Sequence, residues 1–210
     1  AKALAAGTAE ANLCAPGGAE VRQQISSLLG VEAAELRPTA AFVACNGRCG
    51  LTSQKMTYQG AATCYAANQI FGGQQSCQYG CMGFGDCVTA CAYDAIHVVD
   101  GVAEVDPLKC VGCLQCIAVC PKQLISMKPI TGAPAVACRN LDRGGSVRKI
   151  CEVGCITCNR CVKACPTDAI TIENNVAVID FAKCTDCGEC ITVCPQDCIV
   201  KVMKKTAVTA

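Results

Sequence analysis

The sequence predicts an α+β fold built from two tandem copies of one small unit, each organised around its cysteines rather than around large apolar side chains. Three observations lead there. First, 23 of the 210 residues are cysteine, a density at which a chain reads as a disulfide scaffold or a metal protein. Second, the 52% apolar content contains no Trp, four Phe and four Tyr, so much of it is Ala, Val, Ile and Cys and a core of side chains alone is thin. Third, Cys64, Cys77, Cys81, Cys87, Cys91, Cys110, Cys113, Cys116 and Cys120 each have a cysteine 74 positions later, ending at Cys194. Such a period marks an internal repeat, with copies over roughly 61–127 and 135–202.

From the N-terminus, residues 1–12 read as the end of an Ala-rich helix, and Cys14-Ala-Pro-Gly-Gly18 as a turn. Glu20 to Leu29 is an amphipathic helix, with Val21, Ile25, Leu28 and Leu29 on one side. Phe42-Val-Ala-Cys45 and Ala135-Val-Ala-Cys138 are two similar strands, each ending in a cysteine. Asp94–Asp106 alternates apolar and polar residues around Asp100-Gly101, and Asp168–Asp180 does so around Asn174-Asn175; both read as β-hairpins. The expected division is a helical N-terminal segment (1–40), a first unit (41–134), a second unit (135–203) and a tail (204–210).

Cysteine spacing decides what the units hold. Cys110-Cys113-Cys116-Cys120-Pro121, Cys155-Cys158-Cys161-Cys165-Pro166 and Cys184-Cys187-Cys190-Cys194-Pro195 share one spacing. It is the C-x2-C-x2-C-x3-C-P run of bacterial two-cluster ferredoxins, in which the fourth cysteine ligates the partner cluster. Disulfides close loops between scattered residues, and structural zinc uses two separated pairs, so neither fits. The expected units are therefore tandem two-[4Fe-4S] ferredoxin-like folds.

The repeat exposes a defect. Phe84 stands where the second copy has Cys158, and Ala92 replaces the usual Pro. The cluster held by Cys81, Cys87 and Cys120 then needs a fourth ligand, for which Cys77 is the favoured candidate. The alternative is a three-iron [3Fe-4S] cluster with an empty corner. The other sets are Cys110, Cys113, Cys116 with Cys91; Cys155, Cys158, Cys161 with Cys194; and Cys184, Cys187, Cys190 with Cys165. Of the remainder, Cys198 occupies the place of Leu124 and reads as a small buried apolar residue. Bringing the two Cys-ending strands together would create a fifth cluster site, with four ligands from Cys45, Cys49, Cys64, Cys138 and Cys151. Buried free thiols are the competing reading.

Other classes are excluded. A formal net charge of +1 with dispersed charges gives no footprint for nucleic acid. No apolar run approaches the roughly 20 residues that span a bilayer, and no signal peptide pattern is visible. Gly72-Gly73 and Gly144-Gly145 lack a strand–turn–helix context, so no NAD or flavin site is expected, and His97 reads as a surface strand residue. Oxidised four-cysteine clusters add roughly −2 each, so five would bring the loaded chain to about −9. Thiolate-held clusters also imply a reducing setting.

Residues 1–18, with Cys14 in its Pro-Gly-Gly turn, and the stretch from Phe42-Val-Ala-Cys45-Asn-Gly through Tyr79-Gly-Cys81-Met-Gly-Phe-Gly-Asp-Cys87 to Cys194-Pro195 resemble the long, clostridial type of the B subunit of the Rnf complex. The resemblance implies an electron-relay subunit of an ion-translocating ferredoxin:NAD+ oxidoreductase. Its implied partners are ferredoxin and the flavin-, NAD-binding and membrane subunits, at the cytoplasmic face of the membrane. It also implies a preceding membrane helix and three further cysteines that would complete a cluster with Cys14, so the chain reads as N-terminally incomplete. A polyferredoxin relay of a soluble hydrogenase or other oxidoreductase is the second reading of the same runs. A Cys-rich structural or zinc protein is the third.

Overall fold

Each half of the molecule is laced by two short antiparallel sheets, as seen in a computed structural model that describes residues 17–31 and 38–202 together with Lys2 and Ala6. In the first half, β1 (Thr39–Val43) pairs with β4 (Ile125–Pro129), placing Val43 opposite Ile125. Strands β2 (Ile96–Val99) and β3 (Val102–Val105) form the expected hairpin. Its turn has positive φ at Asp100 (48°) and Gly101 (79°), as a two-residue I′-type connection requires. Helices α2 (Cys64–Gln69), α3 (Asp86–Thr89) and α4 (Gln115–Val119) carry cysteines between these strands.

The second half repeats the plan. Strand β5 (Pro134–Val136) pairs with β8 (Ile199–Lys201), and β6 (Ile170–Glu173) with β7 (Val176–Ile179) across Asn174 and Asn175, at φ 46° and 67°. Helices α5 (Gly144–Ile150), α6 (Arg160–Ala164) and α7 (Glu189–Thr192) complete it. The two Cys-ending strands do not lie side by side. Each pairs with the last strand of its own unit, because a unit closes by covering its N-terminal strand with its own apolar C-terminal one.

The core is as thin as the composition predicts. One cluster joins Ala41, Val43, Ile96, Val102, Leu124 and Ile125 to Cys87 and Cys116; the other joins Ile170, Ala177, Ile179 and Ile199 to Cys155, Cys161, Cys190 and Cys198. The largest fully buried side chains are Val147, Asn140 and Pro134, none of them bulky. Helix α1 (Gly18–Leu29) ends at Gly30 in the left-handed conformation that a helix C-terminus favours. Its expected apolar side is not a core face: Leu28 is 84% exposed. Cys14 and most of the Ala-rich segment lie outside the described residues.

The halves are joined by a small ladder. Thr52 bridges antiparallel to Cys151 of the second unit, while Gln54 bridges Gln75. Backbone hydrogen bonds Ser53 N to Ile150 O (2.9 Å), Glu152 N to Leu51 O (2.9 Å) and Ser76 N to Ser53 O (2.8 Å) seal it. The segment 51–54 thus holds Cys77 and Cys151 near one another.

Candidate iron–sulfur sites

The cysteine runs share a backbone device. The residue two after the first cysteine of each run has positive φ: Gly83, Gly112, Thr157 and Asp186. So does the residue four after it: Gly85, Leu114, Asn159 and Gly188. A third left-handed residue lies three after each fourth cysteine, at Asp94, Gln123, Asp168 and Asp197. In the loops that begin at Cys81, Cys110 and Cys155 these reversals wrap the chain around a cavity. Gly83 is also confined by packing, since a Cβ there would lie 2.6 Å from the Gly101 carbonyl oxygen of the β2–β3 turn.

Four cavities of similar size are each lined by at least four cysteines, three of them at these loops and one between the units. One, ≈ 340 Å³, is lined by Cys155, Cys158, Cys161 and Cys194, with Cys198 beside them. Another, ≈ 330 Å³, is lined by Cys91, Cys110, Cys113 and Cys116. The fourth cysteine of each run therefore reaches across to its partner's cavity. Cys165, Cys184, Cys187 and Cys190 form a further group, in which the Cys184 thiol is acted on by Cys165, and Cys190 by Cys184 and Cys187.

The third cavity corrects the sequence expectation. Cys81, Cys87 and Cys120 line it with Cys64, not with Cys77. Local structure explains why. Thr63 caps α2 by accepting from Ala66 N (3.1 Å), and the Asp86 carboxylate accepts from Cys64 N (2.8 Å) and Tyr65 N (3.0 Å). These bonds pin the N-terminus of α2 over the gap that Phe84 leaves. Phe84 itself packs edge-on against Tyr58, with ring centroids 5.4 Å apart. A fourth thiol, Cys64, is thus at hand among the residues lining this cavity.

Cys77 belongs to the fourth cavity, ≈ 410 Å³, which lies between the units and is lined by Cys45, Cys77, Cys138 and Cys151. Three of these four were among the five candidates for a fifth site. Cys64 is drawn to the third cavity, and Cys49 is exposed, its sulfur against the hairpin turn near Gly101. The ends of β1 and β5 do reach one cavity, although the strands do not touch. Cys81 lines both this cavity and that of Cys64, and Cys138 is a near neighbour of Cys155.

The donor chemistry fits clusters. Among the described residues, no group of three or more His, Cys, Asp or Glu converges tightly enough for a single metal ion; the sulfurs ring open space instead. N–H groups point at them: Ala41 N to Cys110 Sγ (3.4 Å), Ala95 N to Cys91 Sγ (3.4 Å), Leu124 N to Cys120 Sγ (3.5 Å) and Ala169 N to Cys165 Sγ (3.3 Å). Between the units, Cys81 N donates to Cys45 Sγ (3.4 Å), Asn140 N to Cys138 Sγ (3.5 Å) and Thr52 Oγ1 to Cys151 Sγ (3.4 Å). Without iron, burial pushes the Cys45 and Cys87 thiols up to about 12, and Cys138, Cys161 and Cys190 up to about 11. Cation coordination is what would bring such thiols into the thiolate form.

Three contributors were invisible in the sequence. Asn140 is 2% exposed; its Oδ1 accepts from Asp142 N (2.8 Å), which turns Nδ2 onto Cys77 Sγ at 3.3 Å. Gln75 lines the same cavity with a buried Oε1 that has no partner among the described residues, a polar atom left to whatever fills the space. Cys198, expected as an inert core thiol, sits 3.6 Å from Cys194 Sγ. A hydrogen bond from Cys198 pulls Cys194 down to about 5 and Cys155 to about 6. The only signal of this was its place four residues after Cys194, the spacing of Leu124 from Cys120. His97 lies on exposed β2, near Asp94.

Comparison with known proteins agrees with this reading. Residues 154–198 and 109–170 each match a 4Fe-4S dicluster domain family, so the chain binds [4Fe-4S] clusters. The second match starts in one structural unit and ends in the next, which follows from Phe84: the 81–91 run departs from the pattern, while 110–120 and 155–165 keep it. The chain is 40% identical, over 86% of its length, to the B subunit of the Na+-translocating ferredoxin:NAD+ oxidoreductase complex of Acetobacterium woodii. It is 42% identical, over 80% of its length, to the proton-translocating counterpart from Clostridium ljungdahlii. It spans only 54% and 60% of those two proteins. Against the B subunit of the ion-translocating oxidoreductase complex of Methanosarcina acetivorans it is 38% identical over 87% of its own length and 70% of the relative's. The chain belongs to the family of Rnf-type B subunits of ion-translocating oxidoreductase complexes.

Proposed function

We propose that the chain is the electron relay of a membrane ion-translocating ferredoxin:NAD+ oxidoreductase, receiving electrons from reduced ferredoxin and passing them to flavin- and NAD-binding partner subunits. A [4Fe-4S] cluster, when bound, exchanges single electrons at a potential set by its surroundings. On this reading the cysteines would form five cluster sites: Cys91/110/113/116, Cys64/81/87/120, Cys45/77/138/151, Cys155/158/161/194 and Cys165/184/187/190, with Cys81 lining two neighbouring cavities. The observation that carries this reading is the cavity between the units, whose thiols come from both halves. Without it, two ferredoxin-like units would be separate stores; with it, they become one path.

The residues keep the path insulated and preset. Apolar side chains such as Val43, Leu124 and Ile125 shield the Cys64 site, and Ile172, Ala177 and Ile199 the Cys155 site. Backbone N–H groups at 3.3–3.5 Å from sulfur favour added negative charge. Among the described residues no helix is long and apolar enough to cross a membrane. Membrane association at the cytoplasmic face would come through the partner subunits of the complex.

The test is direct. The iron-loaded chain, mixed with reduced ferredoxin, should bleach in its charge-transfer absorption, and should reduce NAD+ only when the flavin-bearing partners are added. Failure of reduced ferredoxin to reduce a chain that dithionite does reduce contradicts the relay. Co-purification with a soluble hydrogenase instead of membrane subunits would support the polyferredoxin alternative.

A further inference from the structure

A face beside the Cys64 cavity carries an aromatic and cationic surface that none of the cluster sites needs. Phe71 is 81% exposed, Tyr65 68% and Ile70 47%, all on or next to α2, whose first residue is Cys64. Phe71, Gly72 and Gly73 take three successive positive φ values, 50°, 73° and 95°. Glycine adopts these freely, but an aromatic residue does so only against its preference. The strained position therefore projects a large apolar ring into solvent, where it shields nothing.

Two lysines frame that ring. Lys55 Nζ donates to the Phe71 carbonyl (2.6 Å), and Lys122 Nζ to the Gln78 carbonyl (2.5 Å). A Cβ on Gly72 would lie 3.2 Å from Lys122 Nζ, so both ammonium groups belong to one patch. Among the described residues neither meets a carboxylate, a property they share with Arg143, Arg148 and Lys149, while Arg48, Lys109 and Lys183 each face one; what sets this patch apart is the exposed Phe71 and Tyr65 beside it. From residue 53 to residue 85 the sequence has one charged side chain, Lys55. The nearest acid, Asp86, is engaged by the backbone of α2.

We infer that this face, formed by Lys55, Tyr65, Ile70, Phe71 and Lys122, is the docking surface for an acidic iron–sulfur electron carrier that delivers electrons at the Cys64 site. The inference rests on the relay function proposed above and assigns its point of entry. Charge complementarity selects the partner. Each cluster on a small carrier contributes roughly −2, so an acidic carrier is steered toward uncompensated cations, and here two of them stand beside exposed aromatic side chains next to a cluster site. Exposed aromatic rings supply the short-range contact once the carrier is steered in. One electron crosses per encounter; the carrier is oxidised, the chain is reduced, and no bond or proton moves.

The test uses the iron-loaded full chain and a reduced two-[4Fe-4S] ferredoxin as probe, in stopped flow over a range of salt. The wild-type second-order rate should fall steeply with ionic strength. Lys55→Glu should lower the low-salt rate about tenfold and flatten that dependence. Phe71→Asn, which suits positive φ, should slow transfer while leaving the salt slope unchanged. Iron content and reduction by dithionite confirm that each variant is loaded; if Phe71→Asn loses iron, Lys55→Glu carries the test. Wild-type rates in both variants at every salt concentration would overturn the docking face while leaving the relay intact. No ferredoxin reduction of the wild type would overturn the relay itself. Concentration-dependent dimers that Phe71→Asn dissolves would assign the face to a second copy of the chain and overturn the inference.

Discussion

Replacing Asn140 by Leu should shift the potential of one cluster, and one only. Asn140 is 2% exposed and donates to Cys77 Sγ at 3.3 Å. Leu is similar in size and keeps the cavity wall, but has no donor. A buried hydrogen bond contributes about 1 kcal/mol net, and one made to sulfur strengthens when the cluster gains an electron. Losing about 1 kcal/mol of that extra attraction corresponds to about 40 mV for a one-electron couple. The sign is set by charge: a donor favours the reduced form, so its loss lowers the potential. An EPR-monitored redox titration of wild type and variant, at matched iron content, reads this directly. Asn140→Asp, which still accepts from Asp142 N, should shift the potential the same way. Unmoved potentials with the full cluster complement, or a positive shift, would refute the placement of Asn140 against a cluster ligand.

Three further outcomes follow from the same geometry. Cys198→Leu, which installs the residue found at position 124, should keep every cluster but lower the potential of the Cys155 site, because the donor to Cys155 and Cys194 is gone; an unchanged titration would show that Cys198 is inert. Cys64→Ala should leave the Cys81, Cys87, Cys120 cavity one ligand short, giving either a three-iron EPR signal or loss of one cluster, whereas an unaltered four-iron complement would return the ligand role to another cysteine. Removing iron should unfold most of the chain, since cluster binding supplies the folding energy that a thin core does not, as followed by circular dichroism. Whatever fold persists in the iron-free chain should weaken with rising pH. Thiols raised to about 11–12 in the fold, against about 8.5 unfolded, contribute stability fully present below about 8.5 and lost as pH climbs through 11–12.

The sequence carried the repeat, the hairpins and the crossing of fourth cysteines, because these are local: a turn dipeptide, an alternation, a fixed spacing. Cys77 was expected with Cys81, Cys87 and Cys120, but the cavity those three line together takes Cys64, while Cys77 lines the cavity between the units. Cys64 reaches the cavity only through the Asp86 carboxylate, 22 residues away, and no spacing encodes that bond. The site between the units was half readable. Cys45, Cys138 and Cys151 stood out as surplus, but their meeting depends on the ladder through Thr52. Asn140 and Thr52 gave no sign at all, being ordinary polar residues whose role appears only once Cys77 and Cys151 are placed.

The central claim is that the two units share a cluster held by Cys45, Cys77, Cys138 and Cys151. Native mass spectrometry of the iron-loaded chain and of Cys77→Ala tests it most directly. The account predicts five four-iron clusters, about twenty iron and twenty sulfide per chain, and loss of a single cluster in the variant with the other four intact. Four clusters in the wild type, with no change in Cys77→Ala, would contradict it.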